Sequence, residues 1–232
     1  TEQVDAIPCK YETERANPFI IRDFSRCIMC GRCIKACNEI QVNNAIEFGY
    51  EGADAKIIAG NDVSLKESEC VFCGECLQAC PVGALVPEKS FRHDRFIDTS
   101  VTRTTCSYCG VGCQMDLYVQ NNQIVRVDGS DKDLAPNYGS LCVKGRFGYD
   151  FVASEDRLTA PLIRKDGHLV KTTWDEAIDY VAAKMTDIKE QHGSDTMGVL
   201  TSARITTEDN YMAQKFARGV LKTNNVDHCA RL

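Results

Sequence analysis

The sequence predicts an α+β chain in three parts: a duplicated cysteine-rich unit, a small β-rich unit with a third set of cysteines, and the start of an α/β domain. Two observations lead there. Twelve of the fourteen cysteines fall into three tight groups, and from about residue 170 the apolar pattern changes from short alternation to helical spacing. The expected boundaries are 1–17 for an irregular lead-in, 18–98 for the duplicated unit, 99–156 for the β-rich unit and 157–232 for the incomplete α/β start.

The lead-in holds the lone Cys9. Two copies of one pattern follow, Cys27-x2-Cys30-x2-Cys33-x3-Cys37 and Cys70-x2-Cys73-x2-Cys76-x3-Cys80, with 32 residues between them. In that interval Ala45-Ile46-Glu47-Phe48 and Lys56-Ile57-Ile58-Ala59 read as short strands. A charged linker, Glu88-Lys89-Ser90-Phe91-Arg92-His93-Asp94-Arg95, leads to the third group, Cys106-x2-Cys109-x3-Cys113 and, with 28 residues between, Cys142. Within it, Asp116-Leu117-Tyr118-Val119 and Ile124-Val125-Arg126-Val127 flank Asn121-Asn122, two residues that tolerate positive φ, so a hairpin is expected.

Beyond residue 170, Thr173-x-x-Glu176 predicts a capped helix start. Ala177, Ile178, Val181, Ala182, Met185 and Ile188 supply its apolar face, and Gly193 stops it. A strand over Met197 to Leu200, a helix over Glu208 to Leu221 and a strand starting at Asn225-Val226 predict the opening of a parallel sheet that the chain does not complete.

Composition narrows the function. With 232 residues, 44% hydrophobic and 26% charged, the chain reads as a soluble globular protein. No apolar run approaches the roughly 18 residues of a membrane span. A net charge of -6 argues against a nucleic-acid partner, which requires clustered Lys and Arg. Metal-ligand spacing without a visible secretory signal predicts metal-bound thiols in a reducing, cytoplasmic compartment rather than disulfides.

Three cysteines at x2 spacing let one turning loop offer three thiolates to a four-iron cube while its backbone amides face the sulfides. Zinc instead favours two CxxC pairs. By the rule of two-cluster ferredoxins, the last Cys of each run serves the other cube. One cube is therefore assigned to Cys27, Cys30, Cys33 and Cys80, and the second to Cys70, Cys73, Cys76 and Cys37. Cys80-Pro81 matches the ferredoxin pattern, whereas Cys37 is followed by Asn38. Cys106, Cys109, Cys113 and Cys142 are assigned to a third cube.

The stretch Asn17-Pro18-Phe19-Ile20-Ile21-Arg22-Asp23 through Cys33 resembles the start of the ferredoxin domain in iron hydrogenases, complex I large subunits and NAD-linked formate dehydrogenases. Thr105-Cys106-Ser107-Tyr108-Cys109-Gly110-Val111-Gly112-Cys113 with Leu141-Cys142-Val143-Lys144-Gly145-Arg146-Phe147 resembles the cluster domain of bis-pterin molybdenum and tungsten enzymes, which iron hydrogenases lack. Thr223 to Leu232 is similar to the segment of formate dehydrogenases that leads into the metal ligand. The resemblance covers residues 17 to 232.

It implies the catalytic subunit of a formate dehydrogenase, interconverting formate and carbon dioxide, with molybdenum or tungsten on a bis-pterin guanine dinucleotide in the complete enzyme. Lys144 matches the lysine that lies between cube and pterin in the family. Electrons would pass from the pterin site along Lys144 and the three 4Fe-4S clusters to an electron-accepting partner: a flavin-bearing NADH module, a hydrogenase or a ferredoxin-type subunit. No catalytic residue is expected within the chain, because the family's Cys or selenocysteine ligand would follow Leu232 directly, at a recoded UGA codon; this stretch alone is then expected not to be catalytic. A non-catalytic wire resembling the complex I large subunit and a polyferredoxin adaptor are the alternatives. Cys9 and Cys229 read as small buried hydrophobes, and His93, His168, His192 and His228 sit in no ligand spacing.

Overall fold

The computed structural model describes residues 9–91 and 98–230; Arg92-His93-Asp94-Arg95 of the charged linker lie outside them, as does Leu232. The chain divides into two compact units, Thr1–Cys106 with Cys113–Asp150, and Ser107–Gly112 with Phe151–Leu232.

The first unit opens with strands β1 (Ile20–Arg22), β2 (Ile46–Gly49), β3 (Lys56–Ala59) and β4 (Leu85–Pro87). Asn17, itself buried, turns the chain into β1: its side-chain oxygen accepts from the Phe19 and Ile20 amides at 2.9 and 2.8 Å, and its NH2 donates to the Ile20 carbonyl. Antiparallel β1 and β4 pair Ile20 with Pro87, and β2 and β3 pair Ile46 with Ala59. The β2–β3 strands fall where the alternating residues predict them. Ile20, Ala45, Ile46, Ile57, Leu65 and Leu77 form the centre of one apolar core, which also takes in Cys37 and Phe147. The β-branched residues suit the strands, and their burial removes apolar surface from water.

Two short helices, α1 (Arg32–Lys35) and α2 (Glu75–Ala79), carry the middle of each cysteine run. Each starts from a left-handed glycine, Gly31 at φ 71° and Gly74 at φ 77°, a conformation open to glycine at no steric cost. The helices end differently. Pro81 disfavours helical backbone at Cys80, which is extended at ψ 115°. Asn38 imposes no such stop, and the chain continues through Cys37 as a wide π turn over Ala36–Ile40.

The predicted hairpin is present: β6 (Gln114–Gln120) and β7 (Gln123–Gly129) pair across Asn121 and Asn122, both at positive φ, and β5 (Ser100–Thr105) completes an antiparallel sheet in the order β5-β6-β7. A short helix α3 (Val143–Phe147) follows Cys142 and packs on β7.

The second unit contains the hairpin β8 (Leu162–Lys165) and β9 (His168–Lys171), then α4 (Trp174–His192), β10 (Val199–Thr201), α5 (Thr207–Phe216) and β11 (Val226–His228). Thr173 caps α4 by accepting from the Glu176 amide at 3.2 Å. β10 and β11 run parallel, with Val199 opposite Val226, as the strand–helix–strand reading expects. Two boundaries differ from that reading. The strand expected over Met197 to Leu200 runs from Val199 to Thr201, and the second helix starts at Thr207 because Thr206 is its cap, then widens into a π turn over Ala217–Leu221. The face of α4 predicted to be apolar is exposed at Ile178, Val181 and Ile188. Among the described residues no helix is long and apolar enough to cross a membrane.

Candidate metal centres

The two cysteine runs build matching loops. Met29 and Phe72, each two residues past the first cysteine of its run, have φ of 54° and 51°, and Gly31 and Gly74 repeat the left-handed turn after the second cysteine. Such alternation points backbone N–H groups inward. The Phe72 amide donates to the Cys70 sulfur at 3.4 Å, the Glu75 amide bonds the Cys73 sulfur, and the Ile34 amide bonds Cys33.

Cys27, Cys30, Cys33 and Cys80 line one cavity together with Cys76 of the second run, and its other walls include Ile28, Ile46, Ile57, Leu65 and Val82. Burial pushes the Cys33 thiol up to about 11, against the amide bond from Ile34 and with help from charge on Cys27, Cys80 and Cys30. Burial raises Cys70 and Cys73, and each is raised further by Cys37. Cys76 is held well above the ordinary thiol value by burial and then by Cys70, Cys73, Cys33 and Cys37. Cys80 thus lines the cavity of the first run and Cys37 acts on Cys70, Cys73 and Cys76, while Cys76 also faces the first set.

Buried thiols that repel one another's charge are poor anions on their own and become good ones when a cation shares the space. Four soft sulfurs without a carboxylate suit iron or zinc, not a hard cation. A single zinc would draw its sulfurs to about 2.3 Å from one point. Among the described residues no group of three or more His, Cys, Asp or Glu side chains is placed to hold a single metal ion.

Of the third set, Cys106 is buried, Cys113 half-buried and Cys142 exposed. The Cys106 amide donates to the Cys113 carbonyl at 2.8 Å. Cys142 occupies the cap of α3, and a Cβ placed on Gly145 one turn later would lie 3.6 Å from the Cys106 sulfur. Cys109, exposed, belongs to the second unit, where its carbonyl accepts from the Gly112 amide. The Lys144 side chain is exposed.

Cys9 and Cys229 correct the expectation of burial, since both are exposed. Cys9 lies in the lead-in ahead of the first packed strand, with its sulfur 3.7 Å from the Tyr11 carbonyl. Cys229 follows the end of β11, where its pKa is lowered by a backbone hydrogen bond from Ala203 and then by Ser202. His168, His192 and His228 are exposed, and His93 lies outside the described residues.

Sequence reasoning missed Arg146. Its side chain is almost wholly buried and reaches the Cys70–Cys76 loop, donating from Nε to the Cys73 carbonyl at 2.6 Å and from a terminal nitrogen to Gln78 at 2.9 Å. Glu75 and Asp128 each lie 3.4 Å from it. No local pattern announces these long-range partners; the one available signal was a charged residue between Gly145 and Phe147, immediately after a cysteine turn.

Comparison with known proteins places three family models on the chain: a 4Fe-4S dicluster domain over residues 26–84, a molybdopterin oxidoreductase Fe4S4 domain over 99–154 and a molybdopterin oxidoreductase domain over 157–232. Two proteins of Bacillus subtilis (strain 168) are similar. "Probable oxidoreductase YjgC" is 36% identical over 263 residues, covering 95% of this chain, and "Putative formate dehydrogenase YrhE" is 37% identical over 256 residues, covering 94%. A Staphylococcus aureus (strain USA300) protein, also named as a "Putative formate dehydrogenase", is 34% identical over 92% of this chain. The chain spans about a quarter of the length of these relatives, 26% in each case.

Proposed function

The chain belongs to the molybdopterin oxidoreductase family, whose domains hold 4Fe-4S clusters and a molybdenum or tungsten pterin, and on that premise we propose that it is the iron-sulfur, electron-transferring portion of a formate dehydrogenase. In this reading Cys27, Cys30, Cys33 and Cys80 hold one cluster, Cys37, Cys70, Cys73 and Cys76 a second, and Cys106, Cys109, Cys113 and Cys142 a third. The matching turns at Met29 and Gly31 and at Phe72 and Gly74 support a duplicated two-cluster domain over 18–98, followed by a cluster domain over 99–156 and a pterin-enzyme domain starting at 157. Lys144 is assigned to the side of the third cluster that meets the pterin, a bis-guanine dinucleotide.

When bound, these groups supply one-electron carriers and the two-electron redox chemistry of formate and carbon dioxide. The chain's part is to place and shield them. Ile46, Ile57 and Leu65 keep water from the first cysteine set, and the amides of Ile34, Phe72 and Glu75 steady thiolate charge on Cys33, Cys70 and Cys73. The acceptor is an electron-carrying subunit, a flavin/NAD module, hydrogenase or ferredoxin-type protein, and the setting is cytoplasmic.

The observation that supports this reading is the placing of Cys80, from the second run, in one cavity wall with Cys27, Cys30 and Cys33. Metal and sulfide analysis tests it: about twelve irons per chain with matching sulfide are expected, four for each cubane set, and stoichiometric zinc would overturn it. Formate-dependent reduction of an artificial acceptor by the whole protein tests the substrate, and its absence in protein loaded with metal and pterin would remove formate.

A further inference from the structure

Arg146 is an expensive residue to bury. A guanidinium removed from water needs partners for its donors, and an ion pair compensates it only when the geometry is close. Here the two carboxylates are each 3.4 Å away, and Asp128 is shared with Arg126 at 2.6 Å. The shortest bonds go to neutral oxygens, those of Cys73 and Gln78. The two guanidiniums and two carboxylates balance in number, and Arg146 is the cation that bonds the backbone of the second cysteine loop.

That contact is tight. A Cβ on Gly74, between Cys73 and Cys76, would stand 2.1 Å from the Arg146 Cδ and 2.5 Å from its Nε. The same helix reaches the third cysteine set through Gly145, which backs onto the Cys106 sulfur, and the core through Phe147, whose ring lies 5.0 Å from Phe19, itself 5.3 Å from Phe72. α3 thus spans from Cys142 and Cys106 to the loop of Cys70, Cys73 and Cys76.

We infer that Arg146 is a positioning residue that ties the second cysteine loop to the helix of the third set and raises the reduction potential of the cluster held by Cys37, Cys70, Cys73 and Cys76. The inference rests on the assignment of those four thiols to one cluster. A fixed cation favours the state carrying one more electron, and a low-dielectric surrounding lengthens its reach.

The test is a redox titration of the whole protein followed by EPR, comparing unsubstituted protein with Arg146→Gln, Arg146→Lys and Glu75→Gln. At the native midpoint of the second cluster, Arg146→Gln is expected to lower the ratio of reduced to oxidised cluster by about tenfold. Arg146→Lys, which keeps the charge and loses the fork, should stay near the native midpoint while melting earlier. Glu75→Gln should move the midpoint the opposite way, which keeps the inference testable should Arg146→Gln fail to retain its iron. The Cys27, Cys30, Cys33 and Cys80 cluster serves as internal reference. An unmoved second midpoint in iron-replete Arg146→Gln, or in Glu75→Gln, would overturn the role of Arg146. Absence of any second reducible cluster in the unsubstituted protein would instead overturn the cluster assignment.

Discussion

Glu14 and Arg22 form an ion pair at the edge of the first core, with side chains only 15% and 5% exposed. One Glu14 oxygen accepts from the Arg22 guanidinium, and the other accepts from the Leu65 amide at 3.0 Å. Arg22 also donates to the Ile57 carbonyl. The pair therefore pins the lead-in to β1, β3 and the turn before the second cysteine run. Glu14→Ala leaves a buried guanidinium half-partnered and should cost about 3 kcal/mol in denaturant unfolding. Glu12→Ala, at an exposed position, should stay within about 0.5 kcal/mol of the native value.

Cys37→Ser and Cys80→Ser test the exchange between the runs. Cys80→Ser should damage the EPR signal assigned to Cys27, Cys30 and Cys33, and Cys37→Ser the signal assigned to Cys70, Cys73 and Cys76. Loss confined in each case to the variant's own run would refute the crossed assignment.

Gly74→Ala combines a backbone penalty with a clash, since φ is +77° and the new methyl would meet Arg146 at 2.1 Å. It should lower stability by more than about 2 kcal/mol. Gly52→Ala is the control: φ is +60° with nothing within 4 Å, so only the left-handed penalty of about 1 kcal/mol applies. Equal melting temperatures for the two variants would show that Arg146 yields freely.

Thr173→Ala removes the cap that accepts from the Glu176 amide and should destabilise α4 by about 1 kcal/mol, read by helical circular dichroism during unfolding. Thr173→Ser should restore most of it.

These variants divide by how far the sequence could lead to them. Thr173 and Asn121-Asn122 were legible because a cap and a two-residue turn are decided by neighbours in the chain. Even there the sequence does not give every partner: the Glu176 carboxylate accepts from the Thr172 hydroxyl and from Lys165 at 2.9 Å. The π turn through Cys37 follows from Asn38 standing where a proline would have ended the helix, and its width could not be read from one substitution. Glu14 and Arg146 stayed hidden because burial of a charge depends on partners 51 and 73 positions away, Leu65 and Cys73. The exposed apolar face of α4 shows the same limit from the other side, since periodicity identifies a face and not what meets it.

The antiparallel pairing of β1 with β4 joins the two ends of the segment that contains both cysteine runs, with Ile20 against Pro87 at the outer rung and Arg22 against Leu85 at the inner one. Tension applied through the flanking chain at Phe19 and Glu88 would meet these rungs one after another, beginning with the bond from the Glu88 amide to the Phe19 carbonyl. That is a zipper under peel rather than a joint under shear, so it opens at low force. Until its last rung parts, neither cysteine loop carries load.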